Sequence, residues 1–200
     1  MKNLILFFTA SVLIVASCNT HNETNLGQDL LIQEIFTPNE IASLSNALEL
    51  YKQKILTETS GDDDFVITYR KYLDHLKQYE TVSEVYNIAE INRENYSSIY
   101  DEMIGSGLFD AIYKTDTVYL NQAKVQAIRY HVSRDGKYAQ LLNALAEKDT
   151  IYARHVESLR IVGDFPPSII AWLLHENDKY DLTDQKVQLF YMLTLLKPLK

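Results

Sequence analysis

Any chemistry in this chain has to come from a few side-chain groups. Asp62-Asp63-Asp64 is a run of acids that could suit a hard cation such as calcium. An EF-hand loop spaces its acids, puts glycine sixth and ends on glutamate. Here the acids are consecutive and Gly61 comes before them. Capping of the next helix is the stronger reading, because carboxylates offset the positive N-terminal dipole. His75, His131, His155 and His175 are scattered along the chain. His175-Glu176 begins the zinc-protease pattern, which needs a second histidine four residues after the first. Position 179 is Lys179, and no histidine pair has ligand spacing, so no metal is expected. His175 is expected near a helix C-terminus. Gly105-Ser106-Gly107 lacks the Gly-x-Ser-x-Gly spacing of a nucleophile elbow and reads as a turn. There is no phosphate-binding glycine loop, and nothing asks for a cofactor. Two acids for glycan chemistry can always meet in space, but no particular pair stands out. Fourteen tyrosines are the oddity of the composition. Tyr69, Tyr72 and Tyr79 share a helix face, as Tyr96 and Tyr100 nearly do. Tyrosines make platforms for sugars or proteins; packing between helices is the stronger reading. Phe165-Pro166-Pro167 and Trp172 read as a turn and a core anchor. No catalytic residue is assigned.

The elements that would carry these residues are helical. Asp29 to Phe36 suggests a short first helix. Thr37-Pro38-Asn39-Glu40 has a capping threonine, proline at the first helical position and glutamate three after the cap. Ile41, Leu44, Leu48, Tyr51 and Ile55 follow at helical spacing, and the helix should stop near Gly61. Phe65, Tyr69, Tyr72, Leu73, Leu76 and Tyr79 form a second stripe. Ile88, Ile91, Tyr96, Ile99, Tyr100 and Met103 suggest a third, ending at Gly105 to Gly107. Val118 to Val132 reads as helix, with its Thr, Val and Tyr content leaving a strand open at the start. Tyr138, Leu141, Leu142 and Leu145 follow the turn signal Asp135-Gly136. Ile151, Tyr152, Val156 and Leu159 lead to Gly163, and Pro166-Pro167 opens another helix. Asp181 to Asp184 caps the last one. Its Val187, Phe190, Tyr191, Leu193, Leu195 and Leu196 are apolar nearly all round, so it should be central. The expected fold is all-α: an irregular array of six to eight short helices around an apolar C-terminal helix.

The N-terminus carries the most specific signal. Lys2 precedes an apolar run of thirteen residues, Leu4 to Ala16, broken only by Thr9 and Ser11. A membrane-spanning helix needs roughly 20 apolar residues to cross about 30 Å of hydrocarbon. This shorter run, with a basic start and small residues after it, is laid out like a secretory signal. Val15-Ala16-Ser17-Cys18 resembles the lipobox of bacterial lipoproteins. That resemblance implies cleavage before Cys18, acyl chains on Cys18, and a membrane as the first partner. Valine at the first position departs from the more usual leucine. The expected organisation is a lipoprotein signal peptide over 1–17, a lipidated cysteine and tether over 18–27, and one helical domain over 28–200. The body of the chain, as in Phe36-Thr37-Pro38-Asn39-Glu40-Ile41 and Gly163-Asp164-Phe165-Pro166-Pro167, resembles small uncharacterised lipoproteins of Bacteroidota in its general look and its Asn, Ile, Lys and Tyr usage. This implies no activity. Surface-exported lipoproteins of that group often carry an acidic cluster after the cysteine, whereas Asn19 to Glu23 holds a single acid, so the resemblance implies the periplasmic side over the cell surface. The expected location is the outer membrane, facing the periplasm.

Composition narrows the classes further. Cys18 is the only cysteine, so the domain has no disulfide and rests on packing. Loss of Lys2 with the leader moves the net charge from −8 to −9. Nucleic-acid binding depends on clustered Lys and Arg and is not expected. The domain should not lie flat on anionic lipid either. The expectation is a membrane-anchored envelope lipoprotein that serves as a binding or scaffold module, with an envelope protein as partner. The alternatives are an immunity or inhibitor lipoprotein, or an envelope enzyme acting on glycan.

Overall fold

Helix α9, Gln185–Leu195, organises the molecule. Every residue from Val187 to Leu196 is buried. The computed structural model describes residues 25–59, 64–78, 96–120 and 125–196. Among them are eight further α-helices: α1 (Leu30–Ile35), α2 (Pro38–Glu58), α3 (Phe65–Leu76), α4 (Ser97–Gly105), α5 (Leu108–Ile112), α6 (Lys137–Lys148), α7 (Ala153–Val162) and α8 (Pro167–His175). Short 3₁₀ turns precede α1, α7 and α9. The class is all-α, and the C-terminal helix is central.

Local sequence explains most helix ends. Thr37 and Glu40 form the complete capping box that opens α2. Asp64 caps α3 by accepting from Val66 and Ile67, which is the role expected for the last of the three acids. Asp62 and Asp63 lie outside the described residues. Ile41, Leu44, Leu48, Tyr51 and Ile55 are all buried on one face of α2. Gly105 is the last residue of α4, and Ser106-Gly107 turn the chain into α5. Ile88, Ile91 and Tyr79 lie outside the described residues.

A helix buried on all sides leaves its last carbonyls without water, so side chains must supply donors. Tyrosines do this for α9. The hydroxyl of Tyr113 donates to Leu193 O at 3.2 Å, and that of Tyr100 to Leu196 O at 2.6 Å. The hydroxyl of Tyr138 donates to Phe190 O at 3.1 Å and lies 2.6 Å from Thr194 Oγ1. Burial pushes the phenols of Tyr113 and Tyr138 well above their ordinary pKa, so both retain the proton they donate. Tyr51 and Tyr69 pair at 3.2 Å between their hydroxyls. Packing and backbone satisfaction therefore account for these tyrosines.

The described residues of the stretch Val118 to Val132, expected to be helical, form strands instead. Strands β1 (Tyr113–Leu120) and β2 (Val125–Val132) pair antiparallel, with Tyr113 opposite Val132 and Leu120 opposite Val125. Their Thr, Val, Ile and Tyr content suits a pleated surface better than a helix. A lone hairpin is marginal in water. This one is fixed at its root, where Tyr113 and Val132 are buried and Phe109 packs on Tyr113 and Tyr130. Residues 114 to 117 are exposed.

The described chain also closes on itself. Leu26, in the stretch expected to be tether, is buried, and its N–H donates to Gln185 at the start of α9. Asp29 caps α1 and pairs with Lys186 at 2.5 Å. Burial pushes the Asp29 carboxyl up, but the Lys186 ammonium and two backbone N–H groups pull it further down, so its pKa ends below the ordinary value.

Candidate functional site

The hairpin and the α7–α8 junction frame a charged hollow. Lys114 and His131 are register partners, and Asp116 follows two residues on. Alternation therefore puts all three on one face of the hairpin. His131 Nδ1 lies 3.4 Å from Asp116 Oδ2, a charged pair when the imidazole is protonated. Arg134-Asp135 then leaves β2 in the turn expected from Asp135-Gly136. Gly136 is required there: a Cβ would lie 2.8 Å from Ala111 O and 2.7 Å from Ser133 Cβ. Lys114 Nζ reaches Asp135 at 4.0 Å.

The opposite wall is Gly163-Asp164. Gly163 ends α7 with a left-handed φ of 79°. The guanidinium of Arg134 lies directly on it, since a Cβ at Gly163 would meet Nη2 at 2.8 Å. Arg134 also donates to Ile161 O at 3.4 Å. Asp164 is buried, and its Oδ1 accepts from Phe165 N at 2.9 Å. Lys114, Asp116, His131, Arg134, Asp135, Gly163 and Asp164 surround a hollow of about 340 Å³. A second, also of about 340 Å³, shares Arg134 and Asp135 and continues over Leu142, Val156, Leu159 and Arg160. Together they form an open cleft that is charged throughout, with Ala139, Leu142, Val156 and Leu159 as its apolar lining.

This cleft is built to bind more clearly than to react. His131–Asp116 resembles two members of a hydrolytic triad, but no hydroxyl or thiol among the described residues is hydrogen-bonded to His131. Ser133, the nearest serine in sequence, is buried against Gly136. Asp116 and Asp135 are 66% and 94% exposed at their side chains, so water is not excluded from them. No group of three His, Cys, Asp or Glu among the described residues could hold a metal ion. What the cleft does offer is donors from Lys114, Arg134 and Arg160 beside three carboxylates and an apolar floor. That set suits a ligand carrying both charges and some apolar surface.

The residues singled out in the sequence lie elsewhere. Val15, Ala16, Ser17 and Cys18 are outside the described residues. His75 is on α3, and His175 is the last residue of α8, at the helix C-terminus as expected. His155 is fully buried on α7 between Phe165, Trp172 and Phe190, with ring centroids 4.8–6.0 Å away. Neither of its nitrogens has a hydrogen-bond partner. Burial, with a smaller push from Arg154, brings its pKa down to about 4. Trp172 is only partly buried and carries the Arg154 guanidinium 4.7 Å above its ring.

No helix among the described residues is long and apolar enough to cross a membrane. No family model, curated protein or solved structure matches this chain.

Proposed function

We propose that this protein is a lipid-anchored envelope lipoprotein whose helical domain is a binding module, held at the outer membrane facing the periplasm. One observation carries the reading: Val15-Ala16-Ser17-Cys18 behind a short apolar run. Leu26, eight residues after Cys18, is buried in the domain, so an acylated cysteine would hold the domain close to the bilayer. Two or more acyl chains give stable attachment, whereas one gives a marginal hold. The Arg134 cleft is the candidate contact for the partner, because it is open and mixed in charge.

Capture from solubilised envelope at native expression tests this, comparing the native chain with Arg134→Glu. A partner held reproducibly by the native chain and lost by the variant supports the reading. Absence of any reproducible partner contradicts it.

Two other readings have an observation behind them. A net charge of −9 after cleavage suits a basic target, as in an immunity or inhibitor lipoprotein. Unchanged toxin sensitivity on gene deletion removes that one. Asp116, Asp135 and Asp164 in one hollow favour an enzyme acting on glycan. Full glycan turnover by Asp164→Asn would remove it.

A further inference from the structure

A second concavity, of about 500 Å³, lies between α1 and α2. It is lined by Gly27, Phe36, Pro38, Ile41 and Ala42, with Gln33 and Ser45 at its polar points. No charged side chain lines it, although 23% of the chain is charged. Gln33 Nε2 donates to Gly27 O at 2.6 Å and ties α1 to the turn before it. Leu30, three residues from Gln33, sits on the same side of α1. It is 80% exposed, the most exposed of the large apolar side chains among the described residues.

The position of this groove matters more than its composition. Gly27 in its lining is two residues from Asn25, where the described chain begins. Seven Cα-to-Cα steps lead from Cys18 to Asn25, and at about 3.5 Å each they reach about 25 Å at most. Whatever lies beside Asn25 is therefore held nearest to an anchored Cys18. We propose that the groove and Leu30 form the membrane-facing side of the protein, with hydrocarbon of neutral bilayer lipid seated in the groove. The inference rests on the anchor reading above. The acidic body has no attraction for anionic lipid, and an uncharged concavity beside the tether is the part that suits neutral lipid. Ile161 and Val162, also exposed, lie instead beside the charged cleft.

The test uses the full chain, processed in its own membranes and reconstituted in phosphatidylcholine vesicles. Leu30→Cys and Ile161→Cys each carry an environment-sensitive dye; an acylated Cys18 does not react. The expected result is a blue shift and a several-fold loss of iodide quenching at position 30, with position 161 unchanged. Ala42 is exposed, and Ala42→Asp should restore quenching at position 30. Equal quenching at both positions on protein whose mass shows an acylated Cys18 overturns the inference and leaves the anchor reading standing. A mass without acyl chains overturns both.

Discussion

His155 gives the structure its sharpest consequence in solution. Its imidazole is sealed among Phe165, Trp172 and Phe190 with both nitrogens unpartnered. The folded protein binds a proton there only near pH 4, while the unfolded chain does so near 6.5. At about 1.4 kcal/mol per pH unit, that difference amounts to about 3 kcal/mol. Between these values the unfolded state holds more protons, so stability falls as pH falls. The loss begins below about 6.5 and is complete below about 4. His155→Leu, of similar volume, removes the titration. It also removes two buried polar atoms, each costing about 1–3 kcal/mol when unmade. The variant should be at least as stable as the native chain at neutral pH. At about pH 4.5 it should lead by about 2–3 kcal/mol beyond any neutral-pH difference. Urea unfolding followed by circular dichroism across this range is the assay. Parallel pH profiles for the two proteins would refute the reasoning, as would a leucine variant several kcal/mol weaker at neutral pH.

Other expectations follow from named contacts. Asp29→Asn keeps the helix cap but breaks the pair with Lys186, and should cost about 2 kcal/mol in urea unfolding at neutral pH. Because the folded Asp29 pKa is lowered, native stability from this group is present above the unfolded value and is lost as pH falls through the folded one. The difference from Asp29→Asn should therefore vanish in strong acid. Gly163→Ala should cost about 1–2 kcal/mol through its left-handed φ alone, read as a lower melting temperature. It should also move Arg134 and weaken partner capture. Thr37→Ala should cost about 1 kcal/mol by urea unfolding, since it removes one half of the α2 capping box.

Some of this was legible in the residues and some was not. Thr37-Pro38-Asn39-Glu40 encodes its helix start locally, and the apolar run of α9 announces its own burial. The hairpin was missed because Val118, Val125, Ile128 and Val132 can be fitted to helical spacing as well as to alternation. The cleft was invisible because Arg134 meets Gly163 only in space. In the sequence Gly163 reads as a helix end, and Arg134 carries no signal of its own. His155 looked like any isolated histidine, since its aromatic cage comes from α8, α9 and the turn before α8. The tyrosine hydroxyls bonded to α9 carbonyls likewise depend on contacts across 52 to 96 residues.

Intact mass of the protein purified from its own membranes, beside Cys18→Ala, tests the central claim most directly. The expected result is a chain lacking residues 1–17 and heavier by two or three acyl chains, with the addition lost in the variant. A mature form cut at another bond and free of lipid would contradict it.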